Sequence, residues 1–330
     1  MSLQKTIKLN SGNTIPVIGL GTHALKGEDG IRSIVHAIEV GYRHLDTAEL
    51  YDNEVEVGEA IRRSGIKREE LFVTTKLTSF KHHPDVVEKA LDKSLERLGL
   101  DYVDLFLMHS PFAFIEQPDS VTASTGYVKD NKDDTSSGDE PKVEANKDTE
   151  SGKIKGPVDA KIDYIDTWIA MEKVFAKGKA KSIGVSNFSN YKIQRLLKAA
   201  NIKPAVNQIE LHPYFSNIEY VKFNQDNGIA VTAFSPLGAD VGEKGLRQDP
   251  VITEIAKKLG ATNVQVLIAW GVQRNTIVIP MAAEHEYITS NFQQVILDDD
   301  DVEKINGLDR NEPVLDLTRF YGPKWSVYVD

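Results

Sequence analysis

Short apolar runs recur along the chain at regular intervals, and eight of them have the length and composition of buried β-strands. Most are followed by a longer stretch in which apolar residues return every three or four positions, as on a helix that buries one face. The predicted strands span residues 17–20, 42–46, 71–76, 103–109, 181–185, 205–208, 229–234 and 277–279. The clearest helical stretches span residues 31–38, 87–98, 165–175 and 193–200.

Alternating strands and helices predict an α/β fold. Eight such repeats, with polar residues at nearly every strand end, favour a closed (β/α)8 TIM barrel over an open, doubly wound sheet. At the start of the chain, residues 5–18 predict a β-hairpin, because two short runs flank the turn sequence Ser11-Gly12-Asn13. The whole chain, residues 1–330, is expected to form one barrel domain.

Two segments depart from this alternation of strands and helices. Residues 116–157 are rich in Asp, Lys, Ser and Gly and contain few large apolar side chains, which predicts a flexible polar insertion after the fourth strand. This insertion is either a tolerated surface loop or a loop that gates the substrate or binds a partner. Residues 310–330 contain four aromatic side chains, among them Tyr321 and Trp325, which predicts a C-terminal tail folded over the pocket.

Composition excludes several classes of function. A formal net charge of −10 argues against a nucleic-acid-binding protein or a protein of anionic membrane surfaces, because both need a basic face. The chain has no cysteine, so disulfides, zinc–thiolate sites and thiol nucleophiles are excluded. No signal-peptide pattern and no apolar run of membrane-spanning length is evident, so a cytoplasmic protein is expected.

Candidate chemistry lies where the predicted strands end. Asp46, Lys76 and His109 end the second, third and fourth strands, and Tyr51 follows the second by a few residues. Side chains at the carboxyl ends of parallel strands converge on one face of a barrel. There an ammonium next to a phenol would favour the phenolate and lower its pKa, and a carboxylate would hold the ammonium. These four residues are the predicted catalytic group.

Further strand ends carry amides and an aromatic ring. Ser186-Asn187 follows the fifth strand, Asn207-Gln208 ends the sixth and Phe234-Ser235 ends the seventh. Amide groups together with a flat aromatic face could bind and stack a planar, amide-bearing ring. Each residue could equally be a satisfied interior polar group.

Two other motifs resemble binding sites but do not predict one. Residues 19–24 formally match the glycine-rich fingerprint of Rossmann dinucleotide sites, but no helix is expected at His23, since residues 26–30 intervene. The pair His82-His83 lies in a polar loop and lacks the spacing of metal ligands, so no metal is expected.

The sequence resembles the aldo-keto reductase family. The blocks that carry the resemblance are Gly41-Tyr42-Arg43-His44-Leu45-Asp46-Thr47-Ala48 with Tyr51, Thr74-Thr75-Lys76, Met108-His109-Ser110-Pro111, Ile183-Gly184-Val185-Ser186-Asn187-Phe188, Asn207-Gln208-Ile209-Glu210 and Phe234-Ser235-Pro236-Leu237-Gly238. His109-Ser110-Pro111-Phe112 is also similar to a fungal subgroup that reduces α-keto amides and conjugated polyketones.

The resemblance implies a barrel that binds a nicotinamide dinucleotide, NADPH in most members, at its strand ends. It implies the catalytic roles of Asp46, Tyr51, Lys76 and His109. The residues that it assigns to the cofactor are Gly21, Thr22, Ser186, Asn187, Gln208, Phe234, Ser235, Leu237, Met281, Ala282, Tyr287 and Asn291. Substrate contacts are expected from His23, His109, Tyr321 and Trp325. A monomer with a small carbonyl substrate, and no nucleic-acid or membrane partner, is expected.

One departure from the family concerns the cofactor phosphate. After the eighth strand the family usually has Pro-Lys-Ser and then an Arg, which hold the 2′-phosphate of NADPH. Here Met281 and Tyr287 stand at the two cationic positions. A phosphate needs charge-assisted donors, so NADH is possible beside NADPH, or another cation such as Arg274 substitutes.

Two hypotheses of different classes follow. The first is an NAD(P)H-dependent carbonyl reductase that transfers a hydride to aldehydes, ketones or α-dicarbonyls, with Tyr51 as general acid. The alternative is a non-enzymatic, cofactor-sensing regulatory subunit on the same fold.

Overall fold

A computed structural model of the chain describes residues 5–115, 158–238 and 245–315. The strands within these ranges are β1 (Thr6–Lys8), β2 (Thr14–Pro16), β3 (Leu20–Gly21), β4 (His44–Asp46), β5 (Phe72–Leu77), β6 (Leu105–Met108), β7 (Ile183–Ser186), β8 (Val206–Glu210), β9 (Ala230–Phe234) and β10 (Ile277–Val278). The helices are α1 (Gly27–Val40), α2 (Glu54–Ser64), α3 (Pro84–Leu98), α4 (Tyr164–Ala176), α5 (Asn190–Ala199), α6 (Ile218–Asp226), α7 (Pro250–Leu259), α8 (Asn263–Gln273), α9 (His285–Phe292) and α10 (Asp299–Asn306).

Strands β3 to β10 pair in parallel and in sequence order. Backbone hydrogen bonds then join the first strand region to the last. Gly19 N donates to Val278 O over 2.9 Å, and Val278 N donates to Val17 O over 2.8 Å. These bonds close the sheet, and the predicted (β/α)8 barrel is confirmed.

The alternation of side chains along each strand decides which residues enter the barrel. Phe72 belongs to a buried cluster inside the barrel, whereas Val73 and Leu77 pack in the larger cluster between strands and helices. Lys76 is an even number of residues from Phe72 and therefore points inward. His109 is likewise an even number of residues from Leu107, another residue of the interior cluster, so it also points inward.

The N-terminal hairpin is present as predicted. β1 and β2 are antiparallel, and Ile7 pairs with Ile15. Leu9 and Ile15 belong to the interior cluster together with Phe72 and Ile277, so the hairpin fills the end of the barrel opposite the strand ends that carry the polar residues.

Some predicted boundaries are wrong. The sequence predicts the first barrel strand at residues 17–20, whereas β3 is Leu20–Gly21 and Ile18 forms only an isolated parallel bridge with Val278. Residues 27–30 were expected to be irregular, yet α1 begins at Gly27. The predicted insertion, residues 116–157, and residues 316–330 of the predicted tail lie outside the described residues.

Candidate active site

A buried chain of three polar side chains lies at the carboxyl ends of β4 and β5. The Lys76 ammonium donates to the Asp46 carboxylate, and it lies 3.1 Å from the Tyr51 hydroxyl. Lys76 is completely buried and Asp46 is almost so. A buried cation that is shared between a carboxylate and a phenol is the arrangement that the strand ends predict.

Local structure fixes Tyr51 above this pair. Tyr51 ends a short 3-10 helix, Glu49–Tyr51, that directly follows β4. The carbonyl of Thr47 accepts a further hydrogen bond of 2.9 Å from Lys76. Asn53, which sequence reasoning missed, accepts from the Thr47 hydroxyl and donates to Thr22 O over 2.6 Å. It thereby ties the loop of Tyr51 to the loop after β3.

Burial changes the predicted electrostatics of Tyr51. Burial raises the pKa of the Tyr51 phenol, and the Lys76 charge offsets only part of that rise. Lys76 therefore acts on this pKa in the predicted direction, but burial outweighs it and the net shift is upward. Burial acts to lower the pKa of Lys76, but the Asp46 carboxylate and Tyr51 outweigh it, so the net shift is upward. Tyr51 is thus protonated and Lys76 charged at neutral pH.

His109 lies beside the phenol as a neutral ring. The ring centroids of His109 and Tyr51 are 5.8 Å apart, with the rings nearly perpendicular. Burial, together with the charge of Lys76, holds the pKa of His109 well below its usual range. Its Nδ1 is buried without a hydrogen-bond partner, which favours the tautomer with the proton on Nε2, since an unpaired donor costs more than an unpaired acceptor.

His23 contacts the other edge of Tyr51. Its ring centroid lies 5.1 Å from that of Tyr51, and the residue is partly exposed while its ring packs against the phenol. Burial and the charges of Lys76 and Lys26 lower the pKa of His23, so this ring is also neutral at neutral pH.

Amide side chains at the ends of β7 and β8 lie next to the predicted catalytic group. Gln208 Nε2 donates to Asp46 Oδ2 over 2.7 Å, and Ser186 Oγ donates to Gln208 O over 2.9 Å. Asn187 Nδ2 donates to His109 O over 3.0 Å, while Asn187 Oδ1 is buried without a partner. The structure therefore brings Ser186, Asn187 and Gln208 to the same strand ends as the predicted catalytic residues.

Two of these strand ends have strained backbones. Asn187 has φ +63° and Ser235 has φ +48°, which is a left-handed conformation uncommon outside glycine. Such conformations concentrate at functional sites. Phe234, which precedes Ser235, and Leu237 are each only partly buried, so both are accessible to a ligand.

The end of β3 is closely packed. Gly21 and Thr22 are buried, and the Thr22 hydroxyl donates to Asp46 O over 3.0 Å. A Cβ atom at Gly21 would lie 2.8 Å from Ile279 O, so this position requires glycine. Glycine at this position lets β3 lie close to the residue that follows the last strand, and Thr22 joins the end of β3 to β4.

The segment after β10 lacks positive charge. Met281 is 46% exposed and Tyr287 is 61% exposed, whereas Ala282 and Asn291 are buried. Residues 275–303 contain no Lys or Arg but include Glu284 and Glu286. Arg274 is mostly buried, stacks on Trp270 and donates to Ser216 O over 2.9 Å. Its guanidinium is thus engaged in the fold.

Some predicted residues are placed differently or not described. His82, expected in a polar loop, is buried, and burial lowers its pKa to about 3. Tyr321 and Trp325 lie outside the described residues. Within residues 5–115, 158–238 and 245–315, no three His, Cys, Asp or Glu residues are grouped to hold a metal ion. No helix in those ranges is long and apolar enough to cross a membrane.

Comparisons with known proteins agree with this geometry. Residues 17–310 match the model of the aldo/keto reductase family. The chain is 39% identical to glycerol 2-dehydrogenase (NADP(+)) of Saccharomyces cerevisiae, over 98% of this chain and 96% of that protein. It is also 39% identical to an aldehyde reductase of the same yeast, with the same coverage. A Bombyx mori aldo-keto reductase, solved in complex with NADP, superposes with a TM-score of 0.81 at 34% identity, over 97% of this chain and 99% of that one.

Proposed function

Since the chain belongs to the aldo/keto reductase family, we propose that it is an NADPH-dependent carbonyl reductase that acts on aldehydes, ketones or α-dicarbonyls. The buried chain from Asp46 through Lys76 to the Tyr51 phenol carries the proposal. A non-enzymatic regulatory subunit has no use for a proton donor held this way, so that alternative is not favoured.

The proposed chemistry assigns one task to each residue. NADPH, when bound, supplies the hydride that adds to the carbonyl carbon. Tyr51 transfers its phenolic proton to the carbonyl oxygen, so the product is an alcohol. Lys76, held by Asp46, stabilises the phenolate that remains. His109, protonated on Nε2, donates a hydrogen bond that orients the carbonyl and stabilises the charge that develops on its oxygen.

The residues present fit the nicotinamide end of the cofactor. The unpaired Asn187 Oδ1 could accept from a carboxamide NH2 group. Ser186 and Gln208 lie beside it, and the partly exposed ring of Phe234 offers a surface for stacking. We assign these four residues to the nicotinamide, and Gly21, Thr22, Ser235 and Leu237 to neighbouring contacts.

The residues expected at the 2′-phosphate of the cofactor should discriminate only weakly between NADPH and NADH. Met281 and Tyr287 cannot donate charge-assisted hydrogen bonds to a 2′-phosphate. Ala282 and Asn291 are the other residues of this segment that we assign to the cofactor. The double variant Met281→Lys/Tyr287→Arg should lower the Kd of NADPH about tenfold or more, because two such bonds are restored. The Kd of NADH should change less than about threefold, since NADH lacks the phosphate. Fluorescence titration of both cofactors measures these constants.

A control variant distinguishes direct contact with the 2′-phosphate from general electrostatic attraction of NADPH. Ile296 is 83% exposed and lies outside the 280–291 segment. Ile296→Lys adds a positive charge without the predicted contact. If it tightens NADPH as much as the double variant does, the assignment of positions 281 and 287 to the phosphate is wrong.

We also propose that residues 1–330 form one domain, in which residues 116–157 are an insertion and residues 310–330 form a tail over the pocket. His23, His109, Tyr321 and Trp325 are proposed to line the site of a small carbonyl substrate. We further propose that the protein is cytoplasmic and monomeric. Gel filtration of the purified protein would test whether it is a monomer.

Hydride transfer itself tests the function. NADPH labelled with deuterium on the reactive carbon of its ring should give an alcohol that carries deuterium on the former carbonyl carbon. Mass spectrometry of the product measures this, and an absence of labelled alcohol with all three carbonyl classes would contradict the proposal.

A further inference from the structure

A cluster of charged side chains lies outside the barrel wall, behind the strand that carries Lys76. Thr75 precedes Lys76 on β5, so its side chain points to the opposite face, toward the helices, as those of Val73 and Leu77 do. Apolar side chains make up most of the packing in that layer. Charged groups are rarely buried there unless they are paired.

Glu54 is the centre of this cluster. It is the first residue of α2, and its carboxylate is almost completely buried. Its Oε1 accepts from Thr75 Oγ1 over 2.5 Å, and its Oε2 accepts from Arg97 Nε over 2.8 Å. Arg97 lies in the last turn of α3. Glu54 therefore joins β5 to two helices through one carboxylate.

Arg97 extends the cluster to the segment that carries Tyr51. Its Nη2 lies 3.5 Å from Glu49 Oε1, and the Glu49 side chain is only 11% exposed. Glu49 begins the 3-10 helix that ends at Tyr51. Glu54 comes shortly after Tyr51 along the chain, so the cluster contacts the chain on both sides of the phenol.

The cluster thus reaches both partners of the contact between ammonium and phenol. Thr75 is the neighbour of Lys76 in β5, and Glu49 belongs to the helix of Tyr51. Burying an ion pair adds little net stability over well-packed apolar residues, because desolvation offsets the attraction. Charge-assisted hydrogen bonds are directional, however, and fix the elements that they join. The arrangement favours a role in positioning.

We propose that Glu54, together with Arg97, is a positioning residue for Tyr51. It holds the 3-10 helix of Tyr51 against β5 and so keeps the phenol next to the Lys76 ammonium. This rests on the proposed reductase function. Within the described ranges, Glu54 forms no hydrogen bond with any of the four predicted catalytic residues. It therefore acts on kcat through the position of the phenol and leaves the binding of NADPH and substrate nearly unchanged.

Glu54→Gln tests this positioning role. The amide oxygen of the variant can still accept from Thr75, but its NH2 group then opposes the Arg97 guanidinium. The value of kcat should fall about tenfold, because a small displacement of a reacting group is costly, while KM and the Kd of NADPH stay within about twofold. The solvent deuterium isotope effect on kcat should rise, since proton transfer from a displaced phenol limits the rate more strongly.

Asp104→Asn is the matched control. Asp104 Oδ2 accepts from Arg68 Nη2 over 2.6 Å and from Val73 N over 2.8 Å. It is thus a carboxylate that joins an arginine to the same strand, but near the beginning of β5 rather than beside Lys76. This variant should lower thermal stability and leave both kcat and the isotope effect unchanged.

Amide exchange tests the role without any turnover. The amides of Tyr51 and Asp52 donate to Ala48 O and Glu49 O over 3.0 and 3.1 Å, and these bonds form the 3-10 helix. Both amides should exchange with deuterium faster in Glu54→Gln than in the wild-type protein or in Asp104→Asn, measured without cofactor or substrate.

Two further variants test whether Glu54 acts through Arg97. Arg97→Gln changes a side chain that is 33% exposed, so it provides the same measurements if Glu54→Gln does not fold. It should lower kcat as Glu54→Gln does. The double variant Glu54→Gln/Arg97→Gln should have a kcat no lower than that of Glu54→Gln, because the two side chains act as one unit.

The outcomes separate the positioning role from the reductase function. If Glu54→Gln leaves kcat, the isotope effect and amide exchange unchanged, or if Asp104→Asn changes them equally, the positioning role is wrong. Additive losses of kcat in the double variant would exclude action through Arg97. If the wild-type protein reduces no carbonyl compound, the reductase function fails, whereas amide exchange still decides whether Glu54 holds the helix.

Discussion

Tyr51→Phe should lower kcat about 10²–10⁴-fold, because the variant removes the phenolic proton donor that lies 3.1 Å from the Lys76 ammonium. The Kd of NADPH should stay within about twofold, since the hydroxyl contributes little to binding before the proton moves. The aromatic ring remains between His23 and His109, so the fold is expected to persist. Steady-state kinetics and fluorescence titration measure the two quantities.

Tyr42→Phe is the matched control for this variant. Tyr42 is buried, and its hydroxyl donates to Ile288 O over 3.2 Å, away from the catalytic group. Its loss should cost about 1 kcal/mol of stability and leave kcat unchanged. Substantial turnover by Tyr51→Phe, or equal losses in both variants, would contradict the assignment of Tyr51 as general acid.

Lys76→Met should affect both activity and stability. It removes the charge that offsets part of the effect of burial on Tyr51, so the pKa of the phenol should rise further and kcat should fall about 10²-fold or more. It also leaves the Asp46 carboxylate buried without its cation, which typically costs about 3–5 kcal/mol. Steady-state kinetics and urea unfolding measure these two losses.

The double variant Lys76→Met/Asp46→Asn separates the two effects. It removes both charges of the buried pair, so its free energy of unfolding should exceed that of Lys76→Met alone, while its activity should stay low. A double variant that regains turnover would mean that Lys76 serves only to neutralise Asp46. Equal stability of the two variants would mean that burying the Asp46 carboxylate without its cation carries no penalty.

The sequence predicts the catalytic group because strand periodicity and strand ends are local features. Asp46, Lys76 and His109 each end an apolar run, and the alternation along β5 and β6 turns two of them into the barrel. Closure of the sheet then brings these ends together. Tyr51 is found by its short distance along the chain from Asp46.

The rest of the site depends on contacts between distant parts of the chain. The direction of the Tyr51 pKa shift is set by how deeply the packed loops bury the phenol, which no local pattern shows. Gln208 and its partner Asp46 are separated by 162 residues. Asn53 resembles an ordinary loop residue in sequence, and only the fold shows that it joins two loops of the site.

If this chain transfers a hydride from NADPH to a carbonyl carbon while Tyr51 supplies the proton, deuterium on the reactive carbon of NADPH must appear in the product. Mass spectrometry of the product formed from an aromatic aldehyde or an α-dicarbonyl compound follows that deuterium. We expect an alcohol labelled on the former carbonyl carbon from the wild-type protein, and nearly none from Tyr51→Phe. An unlabelled alcohol, or no alcohol despite NADPH binding, would rule out this reaction.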